Sequence, residues 1–188
     1  AISHLHDHLN SSPHQVDLAV THHADRTNYF AAVYSAGFDA IVNERANSMR
    51  FPRGSSRYVF ALLRELSALR PRRYVVSVDG HRREVEALLI AVANGPSFGG
   101  GMKVVPEASV TDGELEVFIV HPLPPLTFLK LFPKVFSGQH VGHPAVEIVP
   151  ATQVRLDVDH VIGYADGERQ DALPVNISVA PKALSVIA

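Results

Sequence analysis

Tyr74-Val-Val-Ser-Val-Asp79-Gly80-His-Arg-Arg-Glu84-Val85 is the stretch on which the fold turns. Apolar residues alternate on either side of Asp-Gly, the pair that accepts the positive φ required at both corners of a type I′ turn, so an antiparallel hairpin is predicted. Downstream, Leu88 to Ala93 reads as a buried strand, and Asn94-Gly-Pro-Ser-Phe-Gly99-Gly100-Gly101 as a loop that no regular element accommodates. Further strands are predicted at Glu114 to Val120, Thr152 to Asp157, Val161 to Ala165, Val175 to Ala180 and Leu184 to Ile187. Upstream, Val16 to Thr21 and Asn28 to Ser35 form a second hairpin across His23-Ala24-Asp25. Gly37 to Asn47 has mixed helical character, and Ser55 to Leu69 carries apolar residues at helical spacing before Pro71. Leu126 to Phe136, opened by two prolines, interrupted by Pro133 and closed by Gly138, predicts a short kinked helix. Many strands and few helices make the fold mainly β (α+β), an antiparallel β-sandwich-like domain, with no internal repeat.

Length and composition agree with a single domain spanning 1–188: 46% of residues are apolar and 19% charged, enough to bury a core. The longest apolar run, Ala87 to Ala93, stops at Asn94 and cannot span a bilayer. The chain has no cysteine, which excludes disulfides, thiolate catalysis and Cys-based zinc sites and suits a cytoplasmic setting. It opens on Ala without a signal-peptide plan and reads as a piece of something longer. A net charge of -2 conceals segregation, because Arg45 to Arg83 holds ten Arg against Glu65 and Asp79, whereas twelve acids face six Lys or Arg from Glu84 onward. Such a cluster suits phosphate-bearing partners, or is simply a solvated face.

Most catalytic motifs are missing. His4-Leu5-His6-Asp7-His8 is one residue short of a binuclear zinc ligand run and reads as a His-rich tail. His22, His23, His121, His140 and His143 are isolated on predicted strands and loops. There is no Gly-x-Ser-x-Gly elbow, no Walker A run before Lys103, and no Gly-x-Gly-x-x-Gly opening a helix.

Two further Asp-Gly pairs, Asp112-Gly113 and Asp166-Gly167, read by themselves as hairpin corners. Their order with Asn94-Gly95, Gly99-Gly100-Gly101-Met102, Pro106-Glu-Ala108, Asp112-Gly-Glu-Leu115 and Ala165-Asp166-Gly167-Glu168 resembles the lipid-kinase family of bacterial diacylglycerol, sphingosine and ceramide kinases. The resemblance runs from about Val16 to the C-terminus and includes Phe30-Ala-Ala-Val-Tyr-Ser-Ala-Gly37-Phe38-Asp39-Ala40 and Pro181-Lys-Ala-Leu-Ser-Val. The family's Gly-Gly-Asp-Gly-Thr nucleotide motif is absent, so the chain resembles the second, β-rich domain without the N-terminal ATP-binding domain. The related NAD kinases share that two-domain plan but fit these motifs less well.

That resemblance implies an ATP-dependent kinase in which a lipid hydroxyl, with diacylglycerol as the leading substrate, attacks the γ-phosphate in a cleft between the two domains. It implies Glu168 as proton acceptor, with Asp166 and Gly167 shaping its turn, and a structural magnesium ion held by Asp112 with the carbonyls of Ser109 and Glu114; an Asp112 that only caps its own turn is the other reading. Gly99, Gly100 and Gly101 would let backbone approach phosphate or the partner domain. Phe128, Leu129, Leu131, Phe132 and Phe136 form either a lipid-facing patch or ordinary core. The expected partners are a lipid, the inner membrane surface and the nucleotide-binding domain, with no nucleic acid, and exposure of a domain interface would allow a homo-oligomer. A non-catalytic lipid or membrane-surface module, or a kinase for a sphingoid base or phosphatidylglycerol, is the alternative.

Overall fold

In the computed structural model, residues 13–23, 26–38 and 69–187 are described, with Val42, Glu44, Arg45, Ser48, Phe60, Ala61, Arg64 and Glu65 between them. The His4 to His8 run, most of the predicted Ser55 to Leu69 helix, and Arg50, Arg53 and Arg57 of the cluster lie outside the described residues.

The strands are β1 (His14–His23), β2 (Arg26–Phe30), β3 (Val33–Gly37), β4 (Arg72–Val78), β5 (His81–Ala87), β6 (Leu89–Ala93), β7 (Leu115–Val120), β8 (Val146–Ala151), β9 (Gln153–Asp157), β10 (Ile162–Ala165), β11 (Glu168–Ala172) and β12 (Val175–Val186). They form two six-stranded antiparallel sheets, ordered β2-β1-β12-β9-β4-β5 and β11-β10-β3-β6-β7-β8. The sandwich-like, mainly β expectation is borne out. Asp79 and Gly80 have φ of 47° and 85°, the two positive values of the predicted type I′ corner between β4 and β5.

Alternation assigns the faces. Tyr34 and Ala36 of β3, Ile90 and Val92 of β6, and Leu115, Val117 and Ile119 of β7 meet Tyr74, Val76, Leu156 and Ile177 of the first sheet in one core. The intervening residues, Val33, Leu89, Ala91, Ala93, Phe118 and Val120, belong to a second core on the outer side of the second sheet. Its central strands are therefore buried on both faces, which explains why Leu89–Ala93 is apolar throughout instead of alternating. The second core is covered by a helix α1 (Pro125–Leu131), the 3-10 turn Phe132–Phe136 and the loop that carries Phe98 and Met102. Proline at the first turn of α1 and Pro133 at the start of the 3-10 turn produce the predicted kink.

The chain crosses between sheets at each edge strand. β2 passes to β3 through Ala31-Ala32, β5 to β6 through Leu88, β8 to β9 through Thr152, and β11 to β12 through Leu173-Pro174. Side chains stitch the facing edges: Asn28 Nδ2 donates to Gln170 Oε1 at 3.0 Å on one side, and Arg83 Nη2 to Glu147 Oε1 at 2.7 Å on the other. These side-chain bridges link the facing edge strands β2 and β11, and β5 and β8.

Several boundaries differ from the sequence reading. The single strand expected over Asn28 to Ser35 is two strands in different sheets, broken where main-chain N–H groups turn toward Asp166. The strands expected at Val175 to Ala180 and Leu184 to Ile187 are one, β12, whose Lys182 takes φ 55° at a bulge opposite β1. β8 and β11 were not foreseen: Pro150 disguises the first, tolerated because β8 is an edge strand, and the second is the polar run Glu-Arg-Gln-Asp-Ala. Asp112-Gly113 is no hairpin corner, since only Gly113 has positive φ and the pair ends a loop entering β7.

Candidate active site and apolar pocket

Asp166 and Gly167, at φ 49° and 85°, form the type I′ corner between β10 and β11, and Glu168 opens β11 opposite Ala165. The Asp166 carboxylate accepts three main-chain hydrogen bonds, from Ala31 N at 2.7 Å, Ala32 N at 3.0 Å and Val33 N at 2.9 Å. Its own N–H donates to the Val33 carbonyl at 2.9 Å. From the other side, Asn94 Nδ2 donates to the Ala31 carbonyl at 2.9 Å, while the N–H groups of Asn94 and Gly95 donate to Ala32 O at 2.8 and 3.3 Å. The β2 to β3 crossover is therefore clamped between two of the motifs singled out in the sequence. The Asp166 carboxylate is committed to these bonds, and Glu168, two residues on, is exposed.

A second turn joins the same end of the sheet. β11, β3 and β7 begin where β10 and β6 finish, so Glu168, Val33, Asn94 and the Asp112 turn share that end. Asp17, only 2% exposed, ties them together. Its carboxylate accepts from Gly113 N at 2.8 Å and Lys182 N at 2.7 Å, and its carbonyl from Asn94 Nδ2 at 3.0 Å. Sequence reading missed Asp17, although an acid inside the apolar alternation of Val-Asp-Leu-Ala-Val is the signal of a buried, hydrogen-bonded polar group.

At the Asp112 turn, Oδ1 accepts from Glu114 N at 3.0 Å, which is the self-capping geometry, and Ser109 Oγ lies 3.1 Å from Thr111 Oγ1. Carboxylates crowd here. Glu116 is held above its ordinary range by partial burial first, then by Glu114, Asp112 and Glu107. Uncompensated negative charge with hard oxygen donors fits a cation such as magnesium. Among the described residues no group of three His, Cys, Asp or Glu side chains is arranged to hold a metal.

Gly99, Gly100 and Gly101, at φ 50°, 76° and 89°, close a turn in which Phe98 and Met102 bond each other through N–H and carbonyl at 2.9 and 3.0 Å. The turn drives Met102 into the second core. With Phe98, Phe38, Phe128 and Phe132, Met102 surrounds a cavity of about 90 Å³ on the outer face of the second sheet. Val33 and Ala91 form part of its floor. The aromatic stretch divides: Phe128 and Leu131 are 7% exposed and line the cavity, Phe132 is half-buried at its rim, and Phe136 is exposed. His140 is the polar side chain of the lining; Nε2 lies 2.9 Å from the Val104 carbonyl, its ring meets Phe118 edge-on, and burial pushes its pKa down. Burial outweighs the backbone contacts with Val104 and Lys134, which favour the charged ring.

Comparison with known proteins places this architecture. Residues 31–188 match the YegS C-terminal NAD kinase beta sandwich-like domain. A diacylglycerol kinase of Mycobacterium tuberculosis is 39% identical over 160 residues, covering 85% of this chain and 52% of that protein. The chain thus spans about half the length of the curated relatives it matches. In fold it is similar to a diacylglycerol kinase crystal structure from Bacillus anthracis, with a TM-score of 0.62 at 17% identity over 94% of this chain and 54% of that one. Yeast NADH kinase complexed with NADH is similar at a TM-score of 0.50 and 12% identity, covering 98% of this chain and 47% of that one. The chain is a lipid-kinase-like C-terminal domain, and it belongs to the family of YegS C-terminal NAD kinase beta sandwich-like domains.

Proposed function

We propose that this chain is the lipid-side domain of an ATP-dependent kinase that phosphorylates the hydroxyl of diacylglycerol to give phosphatidic acid. The observation that carries the reading is Val33: its N–H bonds Asp166 at 2.9 Å while its side chain lines the apolar cavity. One residue therefore joins the Asp166 corner to the apolar cavity, a polar and apolar juxtaposition that suits an amphiphile.

In this reading Glu168 orients the lipid hydroxyl and accepts its proton as the oxygen forms a bond to the γ-phosphorus and the bond to the β–γ bridging oxygen breaks, releasing ADP. Phosphoryl transfer needs positioning and charge stabilisation more than covalent chemistry, so a carboxylate on a clamped hairpin corner suits the task. Asp166 holds the corner, and Gly167 permits its φ. Asp112, with the carbonyls of Ser109 and Glu114, would hold magnesium, which would neutralise the crowded carboxylates there. ATP is bound mainly by an N-terminal domain that faces the Asp166 end, with Gly99 to Gly101 close to the phosphates or that domain. The enzyme works at the inner face of the membrane as a peripheral protein.

The test is phosphate transfer from magnesium-ATP to diacylglycerol in mixed micelles by the full-length protein, its Glu168→Gln variant and this chain alone. Turnover by the full-length protein only is the expected result. Turnover that survives Glu168→Gln removes the assigned base, and activity of this chain alone removes the assignment of ATP to another domain. Transfer to a sphingoid base or phosphatidylglycerol in place of diacylglycerol would redirect the substrate.

A further inference from the structure

From Val117 to Val146 there is no Asp or Glu, although the chain holds 19 acids. The same stretch carries Lys130 and Lys134, both exposed, and Lys103 is fastened to it by its N–H on the Val135 carbonyl at 2.9 Å. Three of the four lysines of the chain thus border one short helical element. That element is apolar on both sides. Phe128 and Leu131 face the cavity, while Leu126 is 73% exposed and Phe136 40%. Folding explains the inward pair and not the outward one, because apolar surface left in water forfeits its burial free energy.

Resting on the lipid-kinase reading, we infer that the outward face of α1 and the 3-10 turn, with Leu126, Phe136, Lys130 and Lys134, docks on an anionic lipid bilayer and opens the cavity toward it. Charge complementarity selects this occupant: lysines beside exposed apolar side chains, without a nearby acid on the element, match a headgroup layer over acyl chains. Lysine stems can lie along the apolar surface while their ammonium groups stay in the headgroups. The nucleotide-binding domain is a poorer fit, because α1 starts beyond Val120, where β7 ends, at the opposite end of the sheet from Glu168. A lipid would enter over Phe132, and its hydroxyl would travel along the floor toward Val33.

Co-sedimentation of this chain with phosphatidylcholine vesicles, with and without phosphatidylglycerol, tests the surface. Binding is expected only with the anionic lipid, and Lys130→Gln/Lys134→Gln should lower partitioning about 30-fold, which is about 1 kcal/mol per lysine. Leu126→Ser/Phe136→Ser should weaken binding at high salt as well, where the charge contribution is screened. Arg72→Gln/Arg73→Gln, exposed on β4 in the Arg cluster, should leave binding unchanged. Binding that ignores the lysines, or that falls with Arg72 and Arg73 instead, overturns the assignment. So does a dimer, seen in sedimentation velocity, that Leu126→Ser/Phe136→Ser dissociates without affecting vesicles. The two readings separate cleanly: a Glu168→Gln full-length protein that keeps micellar turnover overturns the kinase assignment alone, whereas vesicle binding that ignores the lysines overturns the docking surface alone.

Discussion

Asp166 and Glu168 stand two residues apart, yet the bonds each makes set them to different tasks. A carboxylate that accepts N–H groups from Ala31, Ala32 and Val33 has its lone pairs committed to the backbone. Asp166→Asn weakens acceptors at a crossover joining the two sheets, and a loss of about 1–2 kcal/mol in urea-denaturation stability is expected. Glu168→Gln, at an exposed position, should stay within about 0.5 kcal/mol of the parent. A Glu168→Gln variant as destabilised as Asp166→Asn would mean that Glu168 is structural. The motif Ala-Asp-Gly-Glu was legible in the sequence as a turn with a chemical residue after it. What could not be read was the partner of the Asp, which lies 135 positions away.

At the level of elements, the joints matter more than the strands. Asp79 repeats the device of Asp166: its Oδ1 accepts from Thr152 Oγ1 at 2.8 Å and from Gln153 N at 2.8 Å, at the β8 to β9 crossover. Asp17 splices the bulge of β12 to the Asp112 turn, and Asp17→Ala leaves buried N–H groups of Gly113 and Lys182 without their acceptor. About 3 kcal/mol of stability should be lost, read from the shift of the urea midpoint. The Asp112 turn should loosen with it, so faster amide exchange at Gly113 and Glu114 is expected. The helical cover contributes a pH dependence through His140. Its folded pKa lies below the ordinary 6.5 because burial disfavours the charged ring. The unfolded chain therefore binds the extra proton, and stability is full above about pH 6.5 and falls as pH drops from there toward the folded value. Urea midpoints measured between about pH 7.5 and 5.5 should show this slope, and His140→Gln should flatten it. Proline spacing made the kinked helix readable. The inward and outward division of its aromatics depended on which face met the sheet.

For the molecule as a whole, the two sheets are linked along both lateral edges by side-chain bonds. On the β5 and β8 side, Glu147 accepts from Arg83 at 2.7 Å and lies 2.8 Å from His121 Nε2. Partial burial pushes the Glu147 pKa up, but the bonds from Arg83 and His121 outweigh it and hold the carboxyl below its usual 4.5. A depressed carboxylate stabilises above the unfolded value and loses that contribution as pH falls through the folded one, so this edge should weaken below about pH 4.5. Glu147→Gln should remove that acid-side slope and cost at most about 1 kcal/mol at neutral pH, with less effect in high salt. An unchanged acid limb would detach the ion pair from sheet closure. The charge segregation seen in the sequence takes on a second meaning here, since the helical part of the acid-free stretch, Pro125 to Phe136, covers the cavity and the acidic Asp112 turn lies at the Glu168 end.

Local chemistry was sufficient for much of this. Asp-Gly at positive φ specified two hairpin corners, alternation specified which side chains are buried together, and the motif order from Asn94 to Glu168 carried the family. Tertiary structure alone decided how the strands divide between sheets. Period-two alternation says which face of a strand is apolar but not which sheet the strand belongs to, so Asn28 to Ser35 reads as one strand while its halves lie in different sheets. The bends at Ala31-Ala32 and Thr152 carry no turn signature of their own; carboxylates of Asp166 and Asp79, distant in sequence, supply the acceptors their N–H groups need. The same folding brings Val33 between the Asp166 corner and the cavity, a juxtaposition that exists only once long-range hydrogen bonds have closed the sandwich.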